Sequence, residues 1–96
     1  MEKKVKINDR TYILINNYKD GFDLNETNNK YTEYFDDYDY IAGDWSYGKL
    51  RLKGFCERKN QNYKNINDFH LIDQYIQEFC AYECKYFVLK KVEEDN

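Results

Sequence analysis

Histidine occurs once in the 96 residues, at His70, and that scarcity narrows the chemistry at once. Nucleophilic catalysis by serine or cysteine needs a base beside the nucleophile. Cys84 with His70 is the pairing to weigh, and two ordinary residues explain it better, because cysteine is so often simply buried. No G-x-S-x-G elbow is present. Neither G-x-x-x-x-G-K-[ST] nor G-x-G-x-x-G occurs, so a nucleotide-dependent enzyme is not expected. Cysteine is also sparse: Cys56, Cys80 and Cys84 are an odd number in a chain with nothing to suggest secretion, and reduced thiols are the expectation. With His70 they offer enough ligands for tetrahedral zinc, yet a lone C-x3-C without paired C-x2-C knuckles favours thiols packed at a helix end. A calcium loop around Asp20-Gly21 fails, since its register would put Tyr18 and Thr27 where an acid or amide and a glutamate are needed. No catalytic residue, metal or cofactor is expected.

Positive charge is lacking overall. A formal net charge of -3 and a pI of about 5.1 give no global attraction to nucleic acid or anionic lipid, so either would need a local patch. Met1-Glu2-Lys3-Lys4-Val5-Lys6 has no apolar segment behind its charges, and the apolar runs are far too short to span a bilayer. A cytoplasmic protein without membrane contact is the expectation. Proline is absent and arginine scarce, while Asn, Lys, Ile and Tyr abound. All four abundant types have codons rich in A and T, so base composition accounts for part of the tyrosine count. Aromatic residues nevertheless make up 19% of the chain. A domain of this length buries only about 60 to 65% of its unfolded surface, so large rings must supply much of the core.

Lys4 to Ile7 and Thr11 to Tyr18 read as strands around the polar step Asn8-Asp9-Arg10. After the break at Asp20-Gly21, Leu24, Thr27, Tyr31, Tyr34 and Phe35 recur at helical spacing, with Asp23 as the N-cap and Asn25, Asn28 and Asn29 as weak points. Tyr38 to Trp45 and Leu50 to Glu57 are strands of a hairpin turning at Ser46-Tyr47-Gly48-Lys49. Arg58 to Asn65 is a loop. A second helix runs from Asn67 or Asp68 to about Cys80, with Phe69, Ile72, Tyr75, Ile76 and Phe79 along one stripe. The last strand, Lys85 to Val92, is apolar on both parities at Tyr86, Phe87, Val88 and Leu89, as a central strand would be. Residues 1–92 read as one α+β domain and Glu93 to Asn96 as a solvated tail. The order β-β-α-β-β-α-β predicts an antiparallel sheet with two helices packed on it, most simply on one face. Without its first strand this is the ferredoxin-like order; two small sheets sharing the helices are the other arrangement.

The run Asp39-Tyr40-Ile41-Ala42-Gly43-Asp44-Trp45-Ser46-Tyr47-Gly48-Lys49-Leu50-Arg51-Leu52-Lys53-Gly54-Phe55 resembles the hallmark of the YutD-like family of small, mostly Firmicute proteins. Phe79-Cys80-Ala81-Tyr82-Glu83-Cys84-Lys85-Tyr86-Phe87-Val88-Leu89 is similar to that family's cysteine-flanked turn into its last strand. Ser46 and Glu83 stand where the family has glycine, and a non-glycine residue at Glu83 argues against a left-handed helix cap there. The resemblance implies no activity.

The hairpin's register decides its faces, because side chains alternate across a strand. An even loop puts Trp45 opposite Leu50 and Asp44 opposite Arg51. One face then carries Ile41, Gly43, Trp45, Leu50, Leu52 and Gly54, with glycines that admit a close helix. The other carries Tyr40, Asp44, Lys49, Arg51, Lys53 and Phe55. This register separates apolar from charged residues and pairs Asp44 with Arg51, so it is the expectation, with Trp45 in the core. Tyr40, Lys49, Arg51, Lys53 and Phe55 are the candidate binding residues, for a protein partner first and for RNA or single-stranded DNA second. Lys53-Gly54-Phe55 begins like the aromatic signature of an RRM strand, but Glu57 stands where a second stacking ring would be needed. Asp36, Asp37 and Asp39 cluster between elements, where aspartates mostly cap or solvate a turn.

Overall fold

Asn8 and Asp9 sit at φ 50° and 66°, and they join β1 (Lys3–Ile7) to β2 (Arg10–Tyr18) in a two-residue turn. Twisted strands require positive φ at both turn positions, and Asn and Asp tolerate it better than most residues. These elements belong to a computed structural model that describes residues 3–79 and 84–92. The expected tail, the Ala81-Tyr82-Glu83 connection with its cap question, and Cys80 lie outside the described residues.

Asp23 caps α1 (Leu24–Lys30), its Oδ1 accepting from the Glu26 amide at 3.0 Å. The helix stops short of its predicted end at Phe35: Tyr31 turns to an extended conformation, and a 3₁₀ turn over Glu33–Asp37 follows. A buried hydroxyl needs partners. Tyr31 Oη lies 2.8 Å from Tyr12 Oη and donates to Asp36 Oδ1 at 2.5 Å, and a helix weakened by three asparagines yields to that demand.

β3 (Tyr40–Ser46) and β4 (Lys49–Phe55) turn at Tyr47 and Gly48, φ 53° and 76°. Trp45 faces Leu50 and Asp44 faces Arg51, the expected even register. The second helix opens with 3₁₀ turns at Asn65–Asn67 and Phe69–Leu71, so α2 proper spans Ile72–Phe79. Asp68 holds that entry by accepting from the His70 amide at 2.9 Å. β5 (Tyr86–Lys91) completes one antiparallel sheet in the order β1-β2-β5-β3-β4.

Two expectations about assembly change. The pairing is not ferredoxin-like, because β5 rather than β4 separates β2 from β3. Phe87, Val88 and Leu89 are all buried, and a central position is where a strand apolar on both parities loses both faces from water. The helices also lie on opposite faces. One face gathers Ile7, Tyr12, Ile41, Leu50, Phe87 and Leu89, one or more from every strand, with Tyr31 and Phe35 from the α1 side. The other gathers Tyr40, Ala42, Phe55 and Val88 beneath Ile72 of α2. Alternation along β3 feeds both cores. The glycines of the hairpin admit rings rather than a helix: a Cβ at Gly43 would meet the Phe87 ring at 2.2 Å, and one at Gly54 the Tyr38 ring at 2.4 Å. Among the described residues no helix is long and apolar enough to cross a membrane.

Candidate functional site

The face predicted as one polar surface divides in two. Its base is closed: Tyr40 and Phe55 are 7% and 1% exposed. Tyr40 stacks on Phe69 with centroids 5.2 Å apart, and Phe55 meets Tyr75 edge-on at 5.8 Å. A Phe55 ring covered by α2 is not available to stack a base in the manner of an RRM. The hairpin's tip is open, with Lys49 and Arg51 exposed and Lys53 half-buried. Lys53 Nζ sits 5.6 Å and 5.9 Å from the Phe55 and Tyr75 centroids.

Arg51 has a structural task. Asp44 is 1% exposed, and its carboxylate takes Arg51 Nη2 at 2.5 Å and the Tyr75 hydroxyl at 3.3 Å. A buried carboxylate must be paired; the cross-strand arginine does this while its own outer atoms stay wet. Burial, and then the charge of Asp44, push the Tyr75 hydroxyl up to about 12. Trp45 is half-buried rather than central. Its Nε1 donates to Gly21 O at 2.7 Å, and Lys85 Nζ lies 4.6 Å over its ring.

Along β4 runs a groove of about 440 Å³, with Leu52 and Gly54 in its floor. Tyr34 and Tyr38 form one wall; Lys64, Ile66 and Tyr75 form the other. Three cations, Arg51, Lys53 and Lys64, line it, and no carboxylate does. Tyr34 is 63% exposed and Ile66 75% exposed. The Tyr38 hydroxyl donates to Tyr34 Oη at 2.8 Å, and that bond, with some burial, raises the Tyr38 pKa to about 12. Sequence reasoning missed both walls. Tyr34 falls on the stripe of a helix that in fact ends at Lys30, and Ile66 is a lone apolar residue beyond a polar loop.

The aspartates between elements hold the chain together. Asp39 Oδ2 accepts from the Glu57 amide at 2.8 Å and from Asn60 Nδ2 at 3.0 Å. Asp36 accepts from Tyr31 and lies 3.6 Å from Arg10. Among the described residues no three His, Cys, Asp or Glu side chains converge to hold a metal. Cys84 is disulfide-bonded, which corrects the expectation of reduced thiols; an odd count and an inferred compartment do not fix the state of a given cysteine. A disulfide sulfur is neither a nucleophile nor a zinc ligand. Cys56 is a free, buried thiol, pushed up by burial and then by the charge of Asp39, the opposite of what a reactive thiolate needs. His70 Nδ1 lies 2.9 Å from Asp68 Oδ1.

The family model described as "Putative antitoxin YutD-like" matches residues 6–90. A protein of Bacillus subtilis (strain 168) named "Putative antitoxin YutD" is 41% identical over 88 residues, which is 92% of this chain and 97% of that relative. The solution NMR structure of protein yutD from B. subtilis aligns with a TM-score of 0.79 at 39% identity, covering 99% of this chain and 86% of that one. With the β3–β4 hallmark in its register and the match running through nearly all its length, the chain belongs to the YutD-like family.

Proposed function

We propose that this protein is a non-enzymatic interaction module of the antitoxin kind, which holds a protein partner against the free edge of its second hairpin in the cytoplasm. The observation that carries this reading is the β4 groove, where Lys53 and Lys64 stand beside an Arg51 already paired with Asp44 and no carboxylate lines the walls, in a chain whose net charge is -3. Local charge opposed to global charge marks a surface that selects its partner electrostatically. The family description supplies the word antitoxin; the hairpin supplies the contact residues Lys49 and Lys53, with Tyr40 and Phe55 as the packed base beneath them, and the segment before the Asn65–Asn67 turn adds Lys64 across the groove.

Arg51 is left out of the contact set, because removing it would strand the Asp44 carboxylate. The test is capture from lysate with tagged protein, before and after nuclease, beside the variant Lys49→Glu, Lys53→Glu, Lys64→Glu. A stoichiometric protein that survives nuclease and is lost with the triple variant is the expected result. Material released by nuclease would replace the protein partner with RNA or single-stranded DNA.

A further inference from the structure

Among the described residues β4 pairs with β3 alone. Hydrogen bonding alternates along an antiparallel strand, and the Trp45 amide donates to Lys85 O on the β5 side. Even-numbered residues of β3 therefore bond β4, through Lys49, Arg51 and Lys53. The backbone groups of Leu50, Leu52 and Gly54 point the other way, toward the edge.

That edge is open over a short stretch only. Leu50 is 2% exposed, and Gly54 is buried with the Tyr38 ring against it. Past Phe55 the chain occupies the edge itself: the Cys56 amide donates to Asn67 O at 2.8 Å and the Phe69 amide to Cys56 O at 3.0 Å, a parallel bridge. Leu52 remains, half-buried in the floor of the groove. No ion pair among the described residues takes up Lys49, Lys53 or Lys64.

We infer that the groove receives a short, extended, acidic segment of the partner protein, an inference that rests on the protein-binding reading above. One residue of that segment exchanges main-chain hydrogen bonds with Leu52. Its carboxylates meet Lys53 and Lys64, with Lys49 at the rim, and an apolar side chain lies between Tyr34 and Ile66. Main-chain bonds at a strand edge give affinity without sequence, and the walls and charges give selection. A nucleic acid fits this site less well: Tyr40 and Phe55 are covered by α2, and of the rings that line the groove Tyr34 alone is widely exposed, one platform where a single strand stacks successive bases.

The test is an NMR titration of the isotope-labelled full chain with a blocked pentapeptide of alternating glutamate and valine. The expected result is saturable shifts at Leu52, Lys53 and Lys64, slowed exchange of the Leu52 amide, and binding about tenfold weaker in Lys53→Glu, Lys64→Glu. A lysine-valine pentapeptide should give no saturable shift. The inference is overturned by shifts that map elsewhere, by equal binding of the two peptides, by no saturable shift with the glutamate-valine peptide, or by an oligothymidylate that binds the same residues more tightly. If the captured protein depends on Lys49, Lys53 and Lys64 while the acidic peptide does not bind, the protein-binding reading stands and the acidic segment falls.

Discussion

Each hairpin of this sheet turns on two residues at positive φ and ends at a lysine-bearing edge, Lys3, Lys4 and Lys6 on β1 and Lys49 and Lys53 on β4. Their cover differs. In β1–β2, Lys4 and Lys6 are exposed, and Ile15, the residue left over where the β2–β5 register shifts, is 52% exposed. In β3–β4 the base is enclosed on both faces, by Ile41 on one side and by Tyr40, Ala42 and Phe55 on the other. Lysines on both edges are what discourages sheets from joining edge to edge, so cations alone do not mark a binding surface. What sets β4 apart is the walled groove without carboxylates. The depression beside Ile13 mixes Asp39 and Glu57 with Lys59, Lys90 and Lys91.

Unfolding by urea should separate the hairpins most widely at their apolar residues on the α2 side of the sheet. Phe55→Ala is expected to cost about 3 to 5 kcal/mol, and Ile15→Ala to stay within about 0.5 kcal/mol. Equal losses would erase the distinction. Trp45→Ala should fall between them, since its ring is half-buried and its Nε1 bond to Gly21 is lost.

Charge comes next. Arg51→Met should cost about 2 kcal/mol by leaving the Asp44 carboxylate with the Tyr75 hydroxyl for company, whereas Lys4→Met on the other edge should leave the midpoint in place. If both were neutral, Arg51 would return to the candidate contact surface.

The turns give a smaller effect with the opposite sign. Asn8 suits its left-handed position, but Tyr47 at φ 53° carries a Cβ that this region penalises, and its side chain is fully exposed. Tyr47→Asn should therefore stabilise by about 0.5 to 1 kcal/mol, read as a higher Tm; a drop would mean that the exposed ring packs in solution.

The gentlest probe is pH, through the segment that closes the end of the β4 edge. Asp68 is held down to about 2, by the His70 amide first and then by the Tyr63 hydroxyl. A depressed carboxylate stabilises fully above its unfolded value of about 3.9 and loses that contribution as pH falls through its folded value. Asp68→Asn should flatten the fall in Tm between about pH 4 and pH 2; an unchanged acid limb would remove Asp68 from the anchor.

Much of this architecture is legible in the residues. The parity of β5 announces a two-sided strand, and Asp44 with Arg51 announces the register. Which strands flank β5 is not legible, because local pattern reports a strand's burial and not its neighbours. The outer face of β3–β4 misleads for a related reason. Lys49, Arg51 and Lys53 share a parity with Tyr40 and Phe55, so the face reads as polar throughout, although it passes from water at the tip to core at the base within seven residues of β4. The groove is hidden because one wall comes from the 3₁₀ turn that follows the early end of α1 and the other includes an isoleucine outside any periodic run.

The central place of β5 also bears on how the protein is made. Two hairpins whose strands end by Phe55 share no ladder with each other until Tyr86–Lys91 arrives between them. At about 5 to 20 residues per second, some 2 to 7 s of synthesis separates the last residue of β4 from the last of β5. For that interval the nascent chain shows two unjoined strand edges, on β2 and β3, and the cell's chaperones and proteases have their opportunity then. Closure of the sheet thus waits on the one strand that is synthesised last and sits at its centre.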